Sequence, residues 1–97
     1  MFRTTDDGRI LDCNDAFVET LGYASREELL ARQTWDLYPR RSDREALLAN
    51  VRQQRTLRNV RLEFKKKDGT SINGILNVSM IPTAGAEFQL LGTLVEE

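Results

Sequence analysis

The sequence predicts an α+β domain in which short helices pack on one face of an antiparallel β-sheet. Three observations support this fold class. Apolar and polar residues alternate near both ends of the chain, as in half-buried strands, whereas the middle has apolar residues at helical spacing. Start signals for helices precede those middle segments. Two glycine turns, DDG at 6–8 and KKDG at 66–69, each separate two strand-like runs.

The N-terminal segment predicts a strand, a tight turn, a second strand and a helix. The strands cover residues 2–5 and 9–13, and Gly8 tolerates the positive φ of a tight turn between them. Asn14 or Asp15 is a typical N-cap, and Phe17 and Leu21 lie on one helix face. The helix is expected to end before Gly22, the residue type that commonly follows a helix.

Two further helices have their own start signals. Ser25 stands three residues before Glu28, and Ser42 three residues before Glu45, so each pair predicts a capping box. The second box precedes an apolar stripe at helical spacing, formed by Leu47, Leu48 and Val51. Between the two helices, QTWDLYP predicts a single helical turn, because Pro39 cannot continue a helix.

The second half of the chain predicts three strands. In the first, three apolar residues alternate with charged ones: Val60, Leu62 and Phe64. Beyond the KKDG turn, one face of the next strand has Ile72, Gly74, Leu76, Val78 and Met80. The inward face of the last strand has Phe88, Leu90, Gly92 and Leu94.

Composition excludes several functions. The 14 basic and 15 acidic side chains leave a formal charge of −1, so bulk electrostatics do not favour nucleic acid. The absence of histidine excludes a Ser-His-Asp site and haem held by histidine. A single cysteine, Cys13, excludes an intramolecular disulfide and a thiolate metal cluster. We therefore expect no metal and, because no acid, base and nucleophile converge by spacing, no enzyme activity.

No run of residues is long and apolar enough to predict a membrane span, and no signal peptide is visible. We therefore expect a soluble, cytoplasmic domain that makes no membrane contact.

The order and spacing of several motifs resemble the PAS sensory domain over nearly the whole chain. These are DDGRILDCN at the second strand, LGY at the end of the first helix, SREEL at the next cap and KKDG at the hairpin. The resemblance implies a five-stranded antiparallel sheet in the order 2-1-5-4-3 with short helices on one face. It also implies a sensory module of a histidine kinase, diguanylate cyclase or transcription regulator. We expect residues 1–97 to be a single PAS domain excised from such a protein, with an effector domain downstream in cis.

Within this family, the resemblance argues against the flavin-binding LOV photosensors. Their reactive cysteine falls on Thr34, and their flavin-contacting amides fall on Phe64, Gly74 and Leu94. Cys13 lies on the second strand and cannot replace the reactive cysteine. We therefore expect no cofactor.

A small apolar ligand between sheet and helices remains one of two alternatives. Its predicted walls are Phe17, Leu21, Trp35, Val51, Phe64, Gly74, Leu76, Gly92 and Leu94. In the other alternative, the Trp35 indole or a helix side chain fills the space beside Gly74 and Gly92. We expect any pocket to be apolar, because long cations are seldom buried and those of the third strand fall on its outward side. These are Arg58, Arg61 and Lys65.

The outward face of the sheet also carries apolar residues. These are Ile75, Ile81, Leu91 and Val95, and such a patch often marks an interface. We therefore expect a homodimer through the sheet face or flanking helices. A ligand-free structural dimerisation domain is the alternative to a sensor.

Overall fold

A computed structural model describes residues 1–85 and 87–97 and confirms the predicted α+β fold. Its elements are β1 (Phe2–Thr5), β2 (Ile10–Cys13), α1 (Asp15–Thr20), α2 (Arg26–Leu30), a 3-10 helix (Thr34–Leu37), α3 (Arg41–Gln54), β3 (Thr56–Lys65), β4 (Ser71–Pro82) and β5 (Phe88–Glu96). The five strands form one antiparallel sheet in the order β2-β1-β5-β4-β3. This is the order that the resemblance to PAS domains implies.

The first two helices begin at the predicted caps. The Asn14 side chain accepts a hydrogen bond from the Phe17 amide at 3.1 Å. Ser25 accepts one from the Glu28 amide at 3.1 Å, while the Glu28 carboxylate accepts from the Ala24 amide at 3.2 Å. The Glu28 carboxylate thus bonds the residue before the N-cap, and the capping of α2 remains reciprocal.

Helix α3 starts earlier than its sequence predicts. Arg40 is the N-cap, without a side-chain cap, and the Asp43 amide donates to the Arg40 carbonyl. The capping box at Ser42 and Glu45 was therefore wrong, because Ser42 already lies within the first turn and its side chain cannot act as N-cap. A weak ion pair between Arg40 and Asp43, at 3.5 Å, spans this turn instead.

Helix α3 passes into β3 through a single residue. Arg55 has a φ of 68°, its amide donates to the Val51 carbonyl at 2.7 Å, and its own carbonyl accepts from the Met80 amide at 2.7 Å. A bulge follows between Leu57 and Val60. The bulge brings Leu57 to the core face together with Phe64, although the two are an odd number of residues apart.

The core lies between the inner face of the sheet and the helices. Among the described residues, five have no exposed surface: Leu21, Leu29, Val51, Leu76 and Leu90. They come from the C-cap of α1, from α2 and α3, and from the adjacent strands β4 and β5, so both the helices and the sheet contribute to a single core. The predicted inward faces of β4 and β5 are confirmed, with Leu76, Val78, Phe88 and Leu90 buried.

Candidate ligand site between the sheet and the helices

The room beside the two strand glycines is filled by strand side chains. A Cβ at Gly74 would lie 2.5 Å from the Cδ1 atom of Leu94. A Cβ at Gly92 would lie 2.7 Å from the Cζ atom of Phe2 and would also collide with the Asn77 carbonyl oxygen. Side chains therefore fill this room, as one of the two alternatives held, but they come from strands and not from Trp35 or a helix.

Trp35 lies at the surface, away from both strand glycines. It is half-buried and packs over Gly8, where any Cβ would collide with the indole. The Arg41 guanidinium covers the ring at 5.0 Å from its centroid. The 3-10 helix causes this placement, because it turns Thr34 and Leu37 into the core and leaves Trp35 at the rim.

A cavity of about 10 Å³ remains between the sheet and the helices, which is room for about one water molecule. Its walls are Phe2, Thr4, Phe17, Thr34, Leu37, Tyr38, Arg44 and Phe64. Of the predicted wall residues, only Phe17 and Phe64 line it. Three others, Leu21, Val51 and Leu76, lie in the packed core. Contact of the predicted residues with a ligand stays a prediction.

The walls of the cavity are mostly apolar, but a buried cation that the sequence analysis did not place here also lines them. Arg44 is 5% exposed, and its Nη2 atom donates to the Thr5 carbonyl at 3.0 Å. Among the residues that line the cavity, three buried atoms have no hydrogen-bond partner in the described part of the chain: Thr4 Oγ1, Thr34 Oγ1 and Arg44 Nε. Arg44 faces inward because it lies on the same side of α3 as Leu47 and Val51. That spacing was visible in the sequence.

Tyr38 lines the same cavity and lies beside Arg44. Its ring lies 5.1 Å from that of Phe64, centroid to centroid. Burial raises the pKa of the Tyr38 phenol, and the neighbouring Arg44 charge opposes this rise. The phenol therefore stays neutral at physiological pH. Burial likewise raises the pKa of the Cys13 thiol, which disfavours the reactive thiolate.

A surface groove of about 210 Å³ adjoins the cavity. Its walls are Asp6, Asp7, Gly8, Thr34, Trp35, Arg41, Arg44, Glu45 and Leu48. Thr34 and Arg44 line both the groove and the inner cavity. These two side chains therefore separate the interior of the domain from its surface.

A second groove, of about 530 Å³, lies on the outer side of the sheet and includes Met1, Asn77 and Leu91 in its walls. Of the residues predicted as an interface, Leu91 is 40% and Val95 60% exposed, while Ile75 and Ile81 are half-buried. Their role as an interface stays a prediction.

Two further features were sought in residues 1–85 and 87–97. No group of three or more cysteine, aspartate or glutamate side chains is placed to hold a metal ion. No helix in these ranges is both long and apolar enough to cross a bilayer.

The fold and the match to a family model together identify the chain. The model of the PAS domain matches residues 1–96. The chain therefore belongs to the PAS domain family and is a sensory signalling module, as the sequence motifs indicated. No curated protein matches the chain.

Solved structures of PAS domains are similar over almost the whole chain. One, from a two-component sensor histidine kinase, has a TM-score of 0.77 at 20% identity and covers 99% of this chain and 82% of its own. A domain of a Geobacter sulfurreducens sensory box sensor histidine kinase/response regulator has a TM-score of 0.70 at 22% identity, covering 94% and 78%. The PAS domain of a LuxR-family transcriptional regulator from Burkholderia thailandensis, in complex with ethanol, has a TM-score of 0.71 at 15% identity, covering 98% and 87%. At such identities the likeness shows the fold alone.

Proposed function

We propose that this domain is the input module of a larger cytoplasmic signalling protein and passes a change in its interior to an effector domain in cis. The observation that carries the proposal is the PAS fold over residues 1–96. Structural neighbours from sensor histidine kinases and a transcription regulator support it. The effector is then a histidine kinase, a diguanylate cyclase or a transcription regulator. The domain itself has no catalytic role in this proposal.

The size of the inner cavity suggests how such a module works. A space of about 10 Å³ holds about one water molecule, so anything larger fits only if helices and sheet separate. A ligand that binds the separated packing more tightly shifts the population towards it. Ligand binding and displacement of the helices are then one event.

A chimeric kinase tests this proposal. The chain replaces the PAS domain of a sensor histidine kinase, and the autophosphorylation rate is measured for the Phe17→Leu variant. Phe17 lines the cavity, so the substitution should alter the packing balance and change the rate about fivefold or more. Glu19→Ala, exposed on the same helix, is the matched control and should leave the rate unchanged. A folded Phe17→Leu chimera with an unaltered rate would contradict the proposal.

Ligand-free dimerisation through the sheet face is the second candidate function. The exposure of Leu91 and Val95, both apolar, favours it. Light scattering should show a dimer that the double variant Leu91→Lys/Val95→Lys converts to a monomer. Gln53→Lys, on an exposed position of α3, should leave the mass unchanged. A wild-type chain that is monomeric at all concentrations would rule this function out.

A further inference from the structure

The groove beside Trp35 contains a buried cation with free hydrogen-bonding capacity. Arg44 is 5% exposed, and no carboxylate in the described ranges forms an ion pair with it. One of its nitrogens bonds the Thr5 carbonyl, but Nε has no partner there. A buried charge is costly unless it is paired, so this position favours a negatively charged acceptor. Thr34, whose Oγ1 atom is also buried and unpartnered, lines the same groove.

The same groove also contains a carboxylate oxygen that lacks a hydrogen-bond donor. Asp6 Oδ1 is buried and has no partner in the described part of the chain. Asp7 and Glu45 add negative charge to this wall, although Asp7 is engaged by Thr5 and Arg9. A simple anion at Arg44 would therefore lie close to carboxylates that repel it. A ligand with a cationic group as well would satisfy both sides.

The groove also limits the size and shape of a ligand. Its volume of about 210 Å³ is below the range of roughly 300–1,000 Å³ that is typical of sites for drug-sized ligands. Trp35 and Leu48 provide apolar surface between the charged walls. A small molecule with a carboxylate, an ammonium group and a short apolar part matches these three features.

We propose that the groove between the β1–β2 turn, the 3-10 helix and α3 binds a small free α-amino acid. Its carboxylate bonds Arg44 Nε and Thr34 Oγ1, its ammonium group bonds Asp6 Oδ1, and its side chain rests on Trp35 and Leu48. This assignment rests on the proposed sensory function and names its ligand class. Because Arg44 also lines the inner cavity, the bound carboxylate draws the guanidinium outward and changes the packing behind it.

Titration of the 97-residue chain with alanine and valine tests the assignment, with calorimetry and Trp35 fluorescence as readouts. Both amino acids should bind saturably and change the Trp35 emission. Acetate and ethylammonium each satisfy only one charged wall and should bind at least tenfold more weakly than alanine. Failure of alanine and valine to bind saturably would overturn the assignment, as would acetate binding as tightly as alanine.

Matched variants separate this site from general charge effects. Arg44→Met should weaken alanine binding at least tenfold, whereas Arg58→Met, which removes an exposed cation, should not. Asp6→Asn should weaken binding about fivefold, whereas Asp15→Asn should not. Equal losses in Arg44→Met and Arg58→Met would overturn the assignment.

A folding defect in Arg44→Met would leave the assignment testable. Circular dichroism checks each variant, and the nearly isosteric Thr34→Val removes only the unpartnered hydroxyl. Thr34→Val should weaken alanine binding about fivefold, and unchanged binding would overturn the assignment. If alanine fails to bind while Phe17→Leu still alters the chimeric kinase, this assignment fails and the sensory function stands.

Discussion

The two ends of the layer between sheet and helices differ in chemistry. At one, which we call the glycine end, Gly74 and Gly92 admit the side chains of Leu94 and Phe2, so apolar groups fill the space. The other, the arginine end, consists of Thr4, Thr34, Tyr38 and Arg44 around a small cavity, which Phe2 borders from the glycine end. Close packing makes the first resistant to change, whereas buried groups without partners make the second responsive to a new one.

Substitution of the glycines should show how rigid the glycine end is. Gly92→Ala should lower the free energy of unfolding by about 2–3 kcal/mol, because the new Cβ meets a backbone carbonyl of β4 that cannot move alone. Gly74→Ala should cost less than about 1 kcal/mol, because the Leu94 methyl in its way can rotate. Urea unfolding measures both values. Equal losses of stability in the two variants would show that the backbone beside Gly92 yields as readily as the Leu94 side chain beside Gly74.

Removal of one hydroxyl should sharpen the contrast at the arginine end. Thr4→Val should raise the free energy of unfolding by about 1 kcal/mol, because it replaces a buried, unpartnered hydroxyl by a methyl of similar size. Thr5→Val is the matched control. Its hydroxyl donates to Asp7 and accepts from the Arg9 amide, so its loss should lower the free energy by about 1 kcal/mol. A loss of stability in Thr4→Val would contradict the absence of a partner at this end.

Of these changes, alkaline pH should have the smallest effect on the free energy of unfolding. The folded pKa of Tyr38 lies above its unfolded value of about 10, so the neutral phenol stabilises the fold below that pH. This contribution is lost as pH rises through the folded pKa. Tyr38→Phe lacks it and should lose less stability than the wild type between about pH 9 and pH 11 in urea unfolding. Parallel losses in the two proteins would show that burial does not perturb the Tyr38 phenol.

The sequence predicted the strands, their inward faces and the caps of α1 and α2, because each depends on local spacing. It missed the start of α3, since Ser42 and Glu45 have the residue types of a cap but the chain had already turned at Arg40. It also missed the inward position of Leu57. A bulge there changes the alternation, and single-sequence periodicity cannot reveal a bulge.

The candidate site was harder to predict than the fold. Trp35 was expected inside, either as a wall of a pocket or in the space beside Gly74 and Gly92, yet the 3-10 helix turns its neighbours inward instead. Arg44 was overlooked because long cations are seldom buried, although it stands at helical spacing from Leu47 and Val51. Only the tertiary arrangement shows which polar atoms end up without partners.

The junction at Arg55 has a mechanical consequence. One residue in the left-handed region joins α3 to β3, and its amide and carbonyl are both bonded, to Val51 and to the Met80 amide. No flexible segment separates the two elements. A tilt of α3, which carries Arg44 near its N-terminus, would therefore displace the edge strand β3. A displacement of Arg44 in the groove would thus be transmitted through α3 and the rigid Arg55 junction to β3, at the opposite edge of the sheet from β2.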